Sequence, residues 1–180
     1  IYGGTIESSQ HEYPLIYPED GWVEIDPQIL MDSVIKSLND INKDDIELIS
    51  ITNQRETTIV WEKQSGNPIY NAIVWQDRRT SQYCESIRSD DLEKNIQDKT
   101  GLILDPYFSA TKIKWILENV SGAKEKAANG ELCFGTVDTY LMYKLSEGKI
   151  FKTDITNASR TMLFNINTLS WDAELLDIVT

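Results

Sequence analysis

Five polar residues, Asn53 to Thr57, follow directly on an apolar run at 46–51, and two of the five are charged. The apolar run is rich in β-branched residues and predicts a buried strand. In open α/β sheets, ligands bind just beyond the carboxyl ends of the strands. Arg55 offers a planar fork of hydrogen-bond donors and Glu56 offers acceptors, so the pair suits the adjacent hydroxyls of a polyol. The alternative interpretation is a turn whose two charges face water.

A second polar cluster, Trp75 to Arg79, follows a predicted strand at 72–75. Tryptophan faces pack on the C–H surface of polyols and sugars, while charged neighbours bind the hydroxyls. Trp75 is therefore a candidate apolar wall for the same site. The alternatives are core packing for Trp75 and a helix N-cap role for Asp77.

A third junction, Asp105 to Ser109, leads into a predicted helix with Ser109 as its N-cap. Tyr107 either offers its hydroxyl to a ligand or simply packs in the core. Polar and aromatic residues at three junctions indicate a ligand site more strongly than any single junction does, and the candidate residues are Arg55, Glu56, Trp75 and Tyr107.

The sequence lacks the common phosphate-binding, dinucleotide-binding and zinc-binding motifs. It contains no G-x-x-x-x-G-K-[ST], G-x-G-x-x-G or H-E-x-x-H pattern. Two cysteines and a single histidine exclude zinc sites built from Cys and His. Their surroundings predict packed positions for Cys84 and Cys133 and a surface position for His11. Capping or turn roles are expected for four carboxylates: Asp77, Asp105, Asp138 and Asp154.

Composition bounds the class of protein. The 180 residues include 17 Lys and Arg against 29 Asp and Glu, which gives a net charge of −12. This charge repels phosphate backbones and argues against general nucleic-acid binding. An apolar fraction of 41% and a charged fraction of 26% are typical of a soluble globular protein. No window approaches the ~18 consecutive apolar residues of a membrane span, and no signal-peptide pattern is visible.

Apolar spacing and chain breakers predict mixed helices and strands without repeats or linkers, hence α/β or α+β in one domain, with a three-layer arrangement favoured. Asp26 and Pro27 form a helix start, as N-cap and first helical residue. The strands at 57–61 and 72–75 look like a hairpin. Further strands are predicted at 5–13, 46–51 and 132–134, and helices from residue 27 to about 39 and at about 78–88, 91–99, 109–120, 123–129, 136–145 and 171–179.

The two ends of the sequence predict a piece of a longer protein. The chain starts at Ile1 without a methionine, and helical spacing runs to the last residues without a cap. The alternative is a natural terminus at which the last helix frays.

Several stretches resemble the FGGY family of sugar kinases, in the family's order and over nearly the whole chain. Arg-Glu after the apolar strand, followed by the Trp and then the Tyr, resembles the branch that phosphorylates glycerol rather than the xylulose or gluconate kinases. The stretches are Gly21–Glu24, Ile51–Thr58, Ala72–Thr80, Thr100–Leu102 with Asp105–Ser109, Phe134–Thr139 and Thr156–Thr161.

The resemblance implies that residues 1–180 are most of the N-terminal domain of a two-domain enzyme. The implied fold is an actin-like, ribonuclease-H-like three-layer α/β domain with a mixed sheet flanked by helices. The implied reaction transfers the γ-phosphoryl group of ATP, with Mg²⁺, to glycerol, giving glycerol 3-phosphate. By resemblance, Arg55 and Glu56 bind glycerol hydroxyls, Tyr107 is a further contact and Trp75 is the apolar wall. A cytoplasmic homo-oligomer is implied for the parent enzyme.

The sequence departs from the family pattern in three places. It lacks the N-terminal phosphate-loop hairpin, the Gly-Asp-Gln-like segment that holds the family's catalytic Asp, and the nucleotide-binding second domain. We therefore assign no catalytic, nucleotide-binding or metal-binding residue to this chain and expect it to be inactive alone. The alternatives are a non-catalytic polyol-binding module and a kinase for another polyol or sugar. A nuclease on the same fold would need carboxylates clustered on adjacent strands, and the predicted strands have no such set.

Overall fold

Short strands and longer helices alternate along the computed structural model, which describes residues 4, 5, 7–44 and 46–180. The strands are β1 Glu24–Ile25, β2 Ile59–Glu62, β3 Ala72–Ile73, β4 Leu132–Gly135, β5 Phe164–Asn165 and β6 Ser170–Trp171. The helices are α1 Pro27–Asn39, α2 Ser81–Ile87, α3 Asp90–Thr100, α4 Ser109–Asn119, α5 Ala123–Ala128, α6 Val137–Leu145, α7 Ile155–Ala158 and α8 Ala173–Leu176. Within the described part of the chain, no helix is both long and apolar enough to cross a membrane.

The strands pair antiparallel in three two-stranded sheets, β1 with β3, β2 with β4 and β5 with β6. A bridge between Thr58 and Ile73 joins the first two sheets, through reciprocal backbone hydrogen bonds of 2.9 and 3.0 Å. A second bridge pairs Trp61 with Pro68. These bridges confirm the predicted hairpin between 57–61 and 72–75.

Alternate residues of β2 face opposite layers of helices, as the two-residue period of a strand requires. Ile59 and Trp61 are buried in the cluster that contains α1 and α6. Val60, between them, packs instead with Ile116 of α4. The strands therefore lie between two layers of helices, as the sequence predicted.

Helix starts follow the predicted caps in part. The Asp26 carboxylate accepts hydrogen bonds from the N–H groups of Gln28 and Ile29 at 2.7 and 3.4 Å, which confirms it as the N-cap of α1. The prediction for Ser109 was wrong by one residue, because Phe108 occupies the N-cap position. The Ser109 hydroxyl is buried inside the first turn and has no hydrogen-bond partner among the described residues.

Two predicted strands are irregular in the structure. At 46–50 the chain forms no strand, and Leu48 and Ile49 expose 82% and 57% of their surface. No strand in the described ranges pairs with this segment, so its backbone groups lack a ladder and its apolar side chains lack a covering layer. Residues 7–13 are also irregular, and Ile6, the apolar residue of that predicted strand, lies outside the described residues. The last predicted helix shrinks to α8 because Trp171 belongs to β6.

The junction between β4 and α6 packs closely against β2 and is hydrogen-bonded to the polar segment that precedes β2. A Cβ atom on Gly135 would lie 2.7 Å from Cβ of Thr139 and 2.9 Å from the ring of Trp61, so the close packing here requires glycine. Asp138, in the first turn of α6, accepts a hydrogen bond from Nδ2 of Asn53 at 2.8 Å. This bond ties the start of α6 to the polar segment that precedes β2.

Candidate functional site

Glu56 is buried at the turn that precedes β2. The turn is closed by a 3.1 Å hydrogen bond from the N–H of Thr57 to the carbonyl of Gln54. Only 5% of the Glu56 surface is exposed, and its Oε1 atom accepts a hydrogen bond from Nε of Arg160 at 2.7 Å. The carboxylate is therefore held by a cation from the segment after α7, far along the chain.

Arg160 links this carboxylate to the aromatic residues of the third junction. Its guanidinium carbon lies 5.0 Å from the ring centroid of Phe108 and 5.9 Å from that of Tyr107. Its side chain is 28% exposed. The sequence interpretation included Arg160 in a family-like stretch but gave it no role, because no spacing rule connects residues 104 positions apart.

Trp75 and Tyr107 are in contact, with ring centroids 5.6 Å apart in an edge-to-face arrangement. Both rings are half-buried. Trp75 also packs against the core around β2, and Tyr107 against the core around α3 and α4. Both residues therefore pack against the core and remain partly exposed.

Lys112 joins the Glu56 segment to the Tyr107 segment. It lies in the first turn of α4 and is completely buried. Its Nζ atom donates to the backbone carbonyl of Glu56 at 3.0 Å and to that of Tyr107 at 2.6 Å. Burial lowers the pKa of Lys112 to about 7, against the opposing effect of the nearby carboxylates of Asp77 and Glu56. Sequence reasoning missed this residue, since a lysine in an amphipathic helix is usually exposed.

Arg55 differs from its neighbour Glu56, because it is exposed. Within the described residues its side chain makes no hydrogen bond or ion pair with the protein. The structure thus brings Glu56, Trp75 and Tyr107 into one connected group, and Arg55 stands beside Glu56 with its donors directed to no protein partner among them.

Arg79 shows the opposite environment. Its guanidinium is completely buried and forms ion pairs with Glu24 at 2.7 Å and with Asp77 at 2.8 Å. The guanidinium carbon lies 3.9 Å from the ring centroid of Trp22 and 4.5 Å from that of Trp115. Burial opposes the charge, but the two carboxylates outweigh it and raise the pKa of Arg79.

The remaining carboxylates hold the backbone rather than face a ligand. Asp77 binds the N–H of Val23 at 2.6 Å, so the predicted alternative of an N-cap role was wrong for it; α2 begins only after Thr80. Asp105 accepts from the N–H of Tyr107 at 2.8 Å and pairs with Arg78 at 3.0 Å. Asp154 is the N-cap of α7, as expected.

The two cysteines fit no catalytic role. Cys84 and Cys133 are both buried and unbridged, as their apolar surroundings predicted. Burial raises the pKa of the Cys84 thiol to about 11 and also raises that of Cys133, which suppresses the reactive thiolate. Among the described residues, no group of three or more His, Cys, Asp or Glu is arranged to hold a metal ion.

An apolar groove of about 490 Å³ lies elsewhere, along β4 and the segment that follows α6. Phe134, Phe151 and Leu163 are among its lining residues, and none of the four predicted site residues is. This groove and the group formed by Glu56, Trp75 and Tyr107 are therefore separate features of the surface.

The N-terminal domain of the FGGY family of carbohydrate kinases matches residues 2–180. The chain belongs to this family. It is 53% identical over 183 aligned residues to a glycerol kinase of Marinomonas sp. (strain MWYL1), covering 98% of this chain and 37% of that protein. The match extends over nearly every element described above, and the chain spans little more than a third of the length of such relatives.

Solved structures of the family share the fold. A Plasmodium falciparum glycerol kinase with ADP superposes with a TM-score of 0.86 at 37% identity, over 98% of this chain and 37% of that one. A ligand-bound xylulose kinase from Lactobacillus acidophilus gives a TM-score of 0.78 at 27% identity, over 94% of this chain and 34% of that one. The predicted α/β class with the actin-like fold is confirmed.

Proposed function

We propose that this chain supplies the glycerol-binding side of an ATP-dependent glycerol kinase that forms glycerol 3-phosphate. The observation that carries the proposal is the meeting of Glu56, Trp75 and Tyr107, which come from three distant junctions. The identity of 53% to a glycerol kinase supports glycerol as the substrate.

Each site residue has a physical role in this proposal. Arg55 donates charged hydrogen bonds to glycerol hydroxyls, and Glu56 accepts from them through the oxygen that Arg160 leaves free. Trp75 covers the carbon backbone of glycerol with its ring, and Tyr107 adds a hydroxyl. Together they would hold a small polyol by several directional bonds and one apolar face, which suits an acceptor that must be positioned for phosphoryl transfer.

ATP and Mg²⁺ belong to other parts of the parent enzyme in this proposal. The carboxylates of the described residues near the site are engaged by the protein, and none forms a cluster that fits a magnesium ion. Residues 1–180 would be most of the N-terminal domain, and the parent a cytoplasmic homo-oligomer. The chain alone would bind glycerol without phosphorylating it.

Acceptor specificity in the full-length enzyme tests the proposal. With ATP fixed, the enzyme is expected to phosphorylate glycerol far more efficiently than xylulose or gluconate, measured as kcat/KM for each acceptor. A preference for xylulose or gluconate would identify it as a kinase for another sugar. Formation of glycerol 3-phosphate by the purified 180-residue chain would contradict the division of roles.

A further inference from the structure

Lys112 is a buried cation that the proposed reaction does not use directly. Its surface is 0% exposed, although lysine is rarely buried without a carboxylate partner. Its two hydrogen bonds within the described residues go to backbone carbonyls, of Glu56 and Tyr107. A group so costly to bury is expected to perform a task that a neutral apolar side chain cannot.

The two carbonyls belong to two separate parts of the glycerol site. Glu56 lies in the turn before β2, and Tyr107 lies in the loop before α4, so neither segment is connected to the other by a strand ladder. Thr58 adds only a local bond, from its hydroxyl to the same Glu56 carbonyl at 3.2 Å. The Nζ atom of Lys112 is thus a direct polar link between the two backbones.

Both protonation states of Lys112 preserve this link. The pKa near 7 means that the neutral amine is populated around neutral pH. A neutral amine still carries two N–H groups, which equals the number of carbonyls it binds. The charged groups that act on it from the surrounding elements are Asp77, Glu56, Arg78 and Asp105.

We propose that Lys112 is a positioning residue for glycerol, fixing the backbone of Glu56 against that of Tyr107 so that both side chains meet one small ligand. This inference rests on the proposed function. Its consequence is selective, because loss of the link would loosen the glycerol site and leave unchanged the ATP binding that the proposed function assigns to other parts of the parent enzyme.

The test compares Lys112→Met with Lys114→Met in the full-length enzyme. Lys114 lies two residues further along α4, is partly exposed and pairs with Glu118 at 2.9 Å, so it controls for removing a lysine from the same helix. Losing a buried hydrogen bond and leaving its acceptor unsatisfied costs roughly 5- to 150-fold, so Lys112→Met is expected to raise the KM for glycerol by about fivefold or more. The KM for ATP in Lys112→Met, and both KM values in Lys114→Met, should stay within about twofold of the wild type.

One further variant, Glu56→Gln, separates the possible failures. Glu56→Gln reports on the site itself: if it leaves the glycerol KM unchanged, the proposed function is wrong and the role of Lys112 falls with it. If Glu56→Gln raises the glycerol KM but Lys112→Met does not, only the role of Lys112 is overturned. Equal rises in the KM values for glycerol and ATP, together with a lowered Tm, would make Lys112 a purely structural residue and also overturn it.

Lys112→Gln keeps the test decisive if the methionine variant does not fold. Glutamine retains two N–H donors on a shorter, uncharged side chain, so it can reach only part of the link. A glycerol KM raised severalfold with an unchanged ATP KM is the expected result, and a wild-type glycerol KM in folded Lys112→Gln would refute the positioning role.

Discussion

Arg55 and Arg79 occupy similar places in the sequence and opposite environments in the structure. Each lies in a polar cluster within two residues of an acidic residue, after a segment predicted to be a strand. Arg79 is completely buried, with carboxylates on one side and tryptophan rings on the other. Arg55 is exposed, and its guanidinium has no partner within the described part of the chain.

The difference separates charges that hold the fold together from charges available to a ligand. The donors of Arg79 are engaged by Glu24, Asp77 and Tyr70, so no ligand can approach them without breaking the core. The donors of Arg55 make no hydrogen bond with the described residues, and the side chain is exposed next to Glu56 in the sequence. The proposal that Arg55 binds glycerol therefore rests on its unengaged donors among the described residues, a property that residue type and sequence neighbours do not reveal.

Loss of Arg79 should give the largest effect on stability. Removing one partner of a buried ion pair leaves uncompensated charge behind and typically costs about 3–5 kcal/mol. Arg79→Met in the 180-residue chain is therefore expected to lower the free energy of unfolding by that order, as measured by urea denaturation. Arg78→Met is the matched control, since Arg78 is exposed and pairs with Asp105 at the surface; equal losses in both variants would contradict the assignment.

Loss of Arg55 should weaken glycerol use without weakening the fold. Arg55→Ala removes charged hydrogen bonds worth about 1.5–3 kcal/mol, or roughly 10- to 150-fold in glycerol affinity. An exposed side chain without protein contacts should change the free energy of unfolding by less than about 0.5 kcal/mol. Steady-state kinetics of the full-length enzyme, varying glycerol and ATP in turn, measures the first effect. An unchanged KM for glycerol together with an unchanged kcat would remove Arg55 from the site.

Arg160 lies between these extremes, because it pairs with Glu56 at a partly exposed position. Such a pair is worth about 1 kcal/mol, so Arg160→Met should raise the KM for glycerol about fivefold through misplacement of the Glu56 carboxylate. Kinetics of the double variant with Glu56→Gln checks the coupling: the two effects should not add. Fully additive effects would mean that Arg160 acts independently of Glu56.

The ion pair between Lys99 and Asp172 gives a pH-dependent effect on stability at a place remote from the candidate site residues in the sequence. Hydrogen bonds from Asn165 and Lys99 lower the pKa of Asp172 from 3.8 to about 2. On acidification, Asp172 is therefore protonated at a higher pH in the unfolded chain than in the folded chain. The stabilisation that its charged form provides above about pH 4 is lost as the pH falls toward 2. Denaturation between pH 5 and 2 should show a shallower acid loss in Asp172→Asn, which keeps an N-cap for α8. Identical slopes for variant and wild type would contradict the lowered pKa.

Local signals predicted the helices well and failed for strands that need a distant neighbour. Asp26 and Pro27 specify the start of α1 through contacts within one turn, and Gly101 ends α3 in a left-handed conformation. The apolar run at 46–51 has the composition of a buried strand, yet burial depends on a pairing partner that the described residues do not provide. Ser109 failed as a cap for a subtler reason, since the helix starts one residue earlier than its polar side chain suggests.

Sequence patterns suggested candidate residues only at strand and helix junctions. Glu56, Trp75 and Tyr107 were predicted because polar and aromatic side chains cluster at those junctions, and the structure brings these three together. Lys112 and Arg160 were missed, since their roles arise from contacts 56 and 104 residues apart. No local pattern distinguishes Lys112 from Lys114 in the helix, although only Lys112 is fully buried.

The most direct test of the central claim is a crystal structure of the full-length protein with glycerol. The Arg55 guanidinium and the Glu56 carboxylate are predicted to lie about 2.7–3.2 Å from glycerol hydroxyls, with the Trp75 ring against the carbon backbone and the Tyr107 hydroxyl beside it. Glycerol bound away from these residues, with Arg55 still free of any ligand contact, would contradict the account.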